Sequence, residues 1–398
     1  MTWKLTIYKI VLAMEGSPKM INKNGVFLLM MFIALIFLAA CSVEEVTPTV
    51  SSGWLEEEIT FTSGANELYG VLTLPTSEGP HPAIVLLSGS ERGGAGNSWY
   101  QLHAHRLVKD GYAVLLYDPP GTGRSPGSHD FETLEDRAQE AVAAVEYMQS
   151  REDIQSDAVG LWGHSQGGWV TQMAAAKDDD VAFIISVSGS GVTPAEQEVY
   201  RVEAQSKAAG FSEEDVTKAT IFRRLLVDWV LSEPMYREAN EDAVRNLGEG
   251  SWNEMMAVVY DSESMDPAEN LSQGIKILKE VDAEPWAEFL YLEQELLPLL
   301  RNITPEQIEM VVKNAGETIL EDPVNFLTKV HCPVLALFGE ADKLVPTTKS
   351  AALYEQYLNE AGNDDVTIVI FPGADHSING FTPDYWDTIS DWLGDLSN

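Results

Sequence analysis

Apolar residues in this chain fall into two patterns. Some form short unbroken runs: Ala83–Leu87 (AIVLL), Ala113–Tyr117 (AVLLY), Ala158–Trp162 (AVGLW), Phe183–Val187 (FIISV), Val334–Phe338 (VLALF) and Val366–Phe371 (VTIVIF). Wholly apolar runs of this length fit strands covered on both faces, as in a parallel sheet. Trp54–Thr62 and Leu68–Leu74 add two strands joined by a turn at Ser63-Gly64-Ala65-Asn66. Between these runs apolar residues recur every three or four positions. That spacing predicts helices at Ser98–Lys109, Leu134–Met148, Gln166–Ala176, Lys349–Leu358 and Asp384–Leu393. Alternation of short apolar strands with helices predicts an α/β fold with a mostly parallel, doubly wound sheet.

The alternation stops at Thr193 and resumes after Asp322. The intervening stretch is rich in helix formers and carries a helical stripe at Ile221, Phe222, Leu225, Leu226, Trp229 and Val230. Gln294–Leu300 and Ile308–Val312 also read as helical. Because sheet-like strands return afterwards, residues 193–322 are expected to be a helical cap inserted into a core of residues 54–192 and 323–398.

The N-terminal run Val26–Ala40 (VFLLMMFIALIFLAA) is uncharged but shorter than the roughly 20 residues of a spanning helix. It ends in Leu38-Ala39-Ala40-Cys41. A basic start, a short apolar core and small residues before a cysteine resemble a bacterial lipoprotein signal with its lipobox. The resemblance implies cleavage before Cys41, acylation of its thiol, and a protein lipid-anchored in the cell envelope, facing away from the cytoplasm. The bland alternative is an uncut membrane anchor. Met20 begins MINKNG directly ahead of the apolar core and fits a signal start better than Met1. Residues 42–53 (SVEEVTPTVSSG) are polar, without apolar periodicity, and read as a flexible tether.

Composition narrows the partners. The 398 residues include 25 Lys+Arg against 62 Asp+Glu, a formal charge of −37. Such a surface repels phosphate backbones, so nucleic acid is excluded as a general partner. The 45% of apolar residues excludes a disordered chain. The two cysteines, Cys41 and Cys332, provide no disulfide framework. Cys332 adjoins an apolar run and reads as a small core residue.

The pattern Gly-Xaa-Ser-Xaa-Gly occurs twice, at Gly163-His164-Ser165-Gln166-Gly167 and Gly123-Arg124-Ser125-Pro126-Gly127. A nucleophile elbow needs a strand before its serine and a helix after it. Ser165 has both. Ser125 follows Pro119-Pro120-Gly121-Thr122 and precedes a proline, so it reads as a loop residue. At Gly163 and Gly167 any Cβ would crowd the strand or the start of the helix. In the elbow, the backbone of His164 is expected to matter more than its ring.

A serine hydroxyl needs a base. His376, in Pro372-Gly373-Ala374-Asp375-His376 after the last strand, has the best setting; His81, His103, His105, His129 and His331 have no comparable one. The base needs a carboxylate to hold its tautomer. Asp342, after strand VLALF, is the first choice, with Glu340 and Asp375 as neighbouring alternatives.

These pieces together (LLSGS, YDPPGTGRS, GHSQGG, CPVLALFGEAD and FPGADHS) resemble the α/β hydrolases of the serine esterase and dienelactone-hydrolase-like group. The resemblance covers about Ile59–Ser190 and Pro323 to the end. It implies the α/β-hydrolase fold, the catalytic order Ser165, Asp342, His376, and an oxyanion hole of the backbone N–H groups of Gln166 and Ser90. Ser88 and Glu91-Arg92 stand where many relatives have His and Gly-Pro, which weakens the parallel at Ser90. It also implies cleavage of a small-molecule carboxylic ester through an acyl-enzyme, without metal or organic cofactor, and loss of activity in acid as the base protonates. Two rivals remain open. One is an aminopeptidase resembling proline iminopeptidases, with cap carboxylates such as Glu196, Glu198, Glu213 and Glu214 gripping the substrate amine. The other is a surface lipoprotein that binds without catalysing.

Overall fold

A computed structural model of the chain describes residues 49–396, apart from 52, 92, 129–131, 232–233, 262–264, 303–312, 314–315 and 379–383. The expected signal, Met20 and the lipidation residue Cys41 lie outside the described residues, as do Arg92, His129 and the helix expected at Ile308–Val312.

Nine strands of the described residues form one sheet in the order β1-β2-β3-β5-β4-β6-β7-β8-β9. They are β1 Thr49–Ser51, β2 Trp54–Ser63, β3 Asn66–Pro75, β4 His81–Leu87, β5 Ala113–Tyr117, β6 Ile154–His164, β7 Ile184–Val187, β8 Val334–Gly339 and β9 Val366–Phe371. Pairings are antiparallel from β1 through β3 to β5, and parallel between all later neighbours. Helices α1 Ser98–Leu107, α2 Leu134–Gln149 and α3 Gln166–Ala175 connect the first parallel strands. Between β7 and β8 come α4 Pro194–Ala208, α5 Glu213–Leu231, α6 Arg237–Leu247, α7 Ser251–Tyr260, α8 Pro267–Val281 and α9 Leu297–Asn302. The short α10 Val324–Leu327, then α11 Thr347–Glu360 and α12 Asp384–Leu396, complete the order. This is the α/β-hydrolase fold.

The sheet has a core on each face. On one side Val85, Leu115, Leu161 and Ala336 meet Ala141, Val145, Val170 and Tyr354 from α2, α3 and α11. On the other, Ile84, Val114, Trp162 and Leu335 meet Tyr100, Leu107, Ile389 and Trp392 from α1 and α12. Alternate residues of one strand thus enter opposite cores, which is why the strands are apolar throughout. Full burial of a side chain of this kind contributes roughly 1.5–3 kcal/mol.

The helices between β7 and β8 have a third core of their own. Phe222, Leu225 and Leu226 of α5 pack with Met255, Val258, Leu278 and Trp286. In place of one helix at Gln294–Leu300, a π-helical turn over Leu292–Leu296 runs into α9.

Several boundaries differ from the sequence expectation, and three of them are instructive. Thr49–Ser51, read as tether, pairs with Trp54–Glu56 as an edge strand. β6 starts at Ile154, ahead of AVGLW, because its exposed Gln155–Asp157 segment is drawn into the strand although it has no apolar signal. The helix from Ser98 closes at Leu107 and tightens into a 3₁₀ turn at Val108–Asp110, ended by Gly111 at φ +96°.

Candidate active site

Sheet order decides which loops meet. β4 and β6 are parallel neighbours with Leu87 opposite Gly163, so Ser88-Gly89-Ser90 emerges beside Ser165. β8 and β9 are neighbours with Gly339 opposite Phe371, so the Asp342 and His376 loops also emerge together. The chain leaves β4 toward β5 on one side and β6 on the other, and such reversal points open a crevice at the strands' carboxyl ends.

Ser165 occupies φ +54°, ψ −118° at the head of α3. A non-glycine residue is strained there by an estimated 1–3 kcal/mol. Its surroundings hold it in place: its N–H donates to Val187 O at 2.8 Å, and its C=O accepts from Gly168 N at 2.8 Å. The flanking glycines are required as expected. A Cβ on Gly163 would lie 2.1 Å from Gly167 O, and one on Gly167 would lie 2.4 Å from Leu87 O.

His376 Nδ1–H donates to Asp342 Oδ2 at 2.7 Å. The Asp342 side chain is fully enclosed and the His376 side chain 14% exposed. Oδ1 of Asp342 accepts from Leu344 N at 2.7 Å and Val345 N at 3.0 Å. The two alternative carboxylates are engaged elsewhere. Glu340 accepts from Gly373 N and Asp375 from Ser377 N.

The backbone of His376 is tied to the elbow. Its carbonyl accepts from Ser188 Oγ at 2.8 Å and from His164 Nε2 at 3.2 Å. The His164 ring thus has a role the sequence did not suggest. Burial pushes its pKa down to about 4, helped by His376 beside it, so it donates to that carbonyl as a neutral imidazole. Among the described residues its Nδ1 has no hydrogen-bond partner. Trp99 packs on the ring with centroids 4.7 Å apart, and His103, also pushed down to about 4 by burial, lies beneath Trp99 and Trp162. Among the described residues no hydrogen bond joins Ser165 Oγ to the His376 ring.

On the other flank, Tyr100 accepts from Gly89 N at 2.8 Å and donates to Glu91. Burial, then the nearby Glu91 carboxylate, raises the phenol's pKa, so it stays protonated. Gly89 N–H is thereby committed. Among the described residues neither Ser90 N–H nor Gln166 N–H has a hydrogen-bond acceptor.

The second motif is closed. Ser125 is buried, donates to Asp118 O at 2.6 Å and accepts from Tyr69 N at 2.9 Å. Cys332 packs against the first sheet core, and burial pushes its thiol up to about 12, far from a nucleophile's range. Three of the four carboxylates singled out in the inserted helices have their own cations: Glu198 holds Arg201 and Arg223, Glu196 meets Lys349, and Glu214 meets Lys218. Among the described residues no cluster of three or more His, Cys, Asp or Glu is arranged to hold a metal ion.

The model of the alpha/beta hydrolase family matches residues 84–387. The chain belongs to that family. It is 31% identical over 130 residues to the quorum-quenching protein AidA of Acinetobacter baumannii, which covers 32% of this chain and 42% of that one. It is 31% identical over 123 residues to 2,6-dihydropseudooxynicotine hydrolase of Paenarthrobacter nicotinovorans, covering 29% of this chain and 30% of that one. The chain therefore spans less than half the length of either curated relative. An esterase of Pyrococcus furiosus shares the fold, with a TM-score of 0.50, 14% identity, and coverage of 90% of this chain and 100% of that one.

Proposed function

We propose that this α/β hydrolase cleaves small carboxylic esters through a serine acyl-enzyme. The reading rests on one observation above others: a buried aspartate is bonded to a histidine whose backbone is fastened to the strained serine elbow. His376 takes the Ser165 proton, Oγ attacks the ester carbonyl, and the alcohol leaves with that proton. Water, activated by the same ring, then releases the acid. Asp342 fixes the ring so that Nε2 is the basic nitrogen. The N–H groups of Gln166 and Ser90, at the head of α3 and after β4, receive the oxyanion.

A fluorophosphonate probe tests the chemistry. Labelling of wild type and none of Ser165→Ala is expected, together with hydrolysis of short-chain nitrophenyl esters ahead of amino-acyl nitroanilides. An unlabelled, inert wild type overturns the reading in favour of a binding protein, and a preference for the anilides turns it toward a peptidase.

The short apolar run ending at Cys41 supports envelope anchoring through a lipid on that thiol. No helix of the described residues is long and apolar enough to cross a membrane. Incorporation of an alkyne fatty acid by wild type and not by Cys41→Ala is the expected result.

A further inference from the structure

Arg137 lies in the first turn of α2, a position fixed by the reciprocal capping pair Thr133 and Asp136. In a helix that shows polar residues to solvent, an arginine there would ordinarily point outward. This one is 3% exposed. Its Nη2 donates to Ser88 O at 2.6 Å and approaches Ser88 Oγ at 3.4 Å. Its Nη1 donates to Gln166 Oε1 at 2.5 Å and approaches Gly89 O at 3.4 Å. All four acceptors are neutral oxygens, and all belong to the two segments that carry the oxyanion donors.

Peptide geometry gives these contacts their meaning. In a trans peptide the C=O and the next residue's N–H point in opposite directions. Ser88 C=O faces Arg137 while the N–H of the same unit, Gly89 N–H, faces Tyr100 Oη. That plane is held at both ends. Gly89 C=O also faces the guanidinium, so the N–H of that unit, which is Ser90 N–H, is turned away from it and carries no partner among the described residues. Gln166 is held by its side chain and leaves its N–H unengaged. A planar fork with several donors can span both segments at once, whereas an ammonium cannot. A buried cation behind two amides also favours negative charge in front of them.

We propose that Arg137 is the positioning residue of the oxyanion hole, locking Ser90 N–H and Gln166 N–H in register and biasing the hole toward an anion. The inference rests on the serine-hydrolase reading above and extends it to a residue outside the triad.

The test uses the full chain with Arg137→Met and Arg137→Lys. Two readouts are a short-chain nitrophenyl ester and an alkyl trifluoromethyl ketone. With the ketone, Ser165 Oγ bonds to the carbonyl carbon, the C=O electron pair becomes an oxyanion, and the serine proton passes to His376. In Arg137→Met, kcat is expected to fall by about tenfold or more with KM changed less than about threefold, and affinity for the ketone to weaken in parallel with kcat/KM. Arg137→Lys, which keeps the charge and reaches only one segment, is expected to fall between Met and wild type. A purely structural arginine would lower the melting temperature and the active fraction but leave ketone affinity per active site unchanged. That outcome, or a kcat within about threefold of wild type, overturns the inference. If Arg137→Met does not fold, Arg137→Lys decides by the same two readouts. A wild type inert to ester and to fluorophosphonate fails earlier, at the serine-hydrolase reading. An active wild type with indifferent Arg137 variants fails only here.

Discussion

The two Gly-Xaa-Ser-Xaa-Gly segments put the same five-residue pattern to opposite uses. At Ser125 the hydroxyl is used up as a structural pin, bonded on both sides by main chain and sealed from water. Around it Asp118 takes N–H groups from Ala95 and Arg124, knitting the loop to the segment that follows the Ser88-Gly89-Ser90 turn. At Ser165 the main chain is held and the hydroxyl is left over, on a backbone angle that only surrounding packing maintains. What separates the two serines is the hydroxyl's remaining valence, and that depends on whether a strand delivers the residue or a proline-bounded turn encloses it.

The largest test of this contrast is kinetic. Ser165→Ala is expected to lower kcat at least about a thousandfold while the melting temperature changes little, since alanine keeps the Cβ and with it the strain at φ +54°. Asp342→Asn comes next. With the carboxylate gone, the His376 tautomer is no longer enforced, and kcat is expected to fall by about a hundredfold or more. Ester hydrolysis within about tenfold of wild type would remove Asp342 from the relay.

Third is acid stability, which distinguishes the elbow's surroundings from the Ser125 loop. His103 has a folded pKa of about 4, below its ordinary value near 6.5. Between those pH values the unfolded chain binds a proton that the folded chain refuses. Stability is therefore present above 6.5 and is lost as pH falls toward 4, by at most about 3 kcal/mol for this ring. The slope of melting temperature against pH in this window should flatten in His103→Phe. An unchanged slope would show that the ring is charged in the folded state.

The smallest effect belongs to the structural serine. Ser125→Ala leaves Tyr69 N–H and Asp118 C=O unpaired and is expected to lower stability by about 1–3 kcal/mol with kcat unaltered. Fluorophosphonate labelling at Ser125 would erase the contrast.

Much of this was legible in the chain because continuous apolar runs leave one solution. AVLLY and VTIVIF became strands with the predicted ends. The elbow was separable from its imitation because strand-then-helix is itself a sequence signal. The unread parts share a cause: they depend on what a side chain meets across the fold. Arg137 in an amphipathic helix looks like any solvated charge, and only the depth of its seat reveals otherwise. Tyr100 reaches Gly89 around a turn, and His164 reaches a carbonyl 212 positions away. β6 begins with the Ile154–His81 pairing, ahead of an irregular step to Val159–Ala83, and the exposed Gln155–Asp157 between them carries no apolar signal.

Tyr200, on the first helix after β7, donates its phenol to the main-chain oxygen of Asp342 at 2.8 Å. A chimera that exchanges residues 193–322 for those of a relative would therefore strip a fastener from the acid-bearing turn as well as reshaping whatever lies above it. Transplanted selectivity and retained turnover would trade against each other unless the tyrosine travels with the graft.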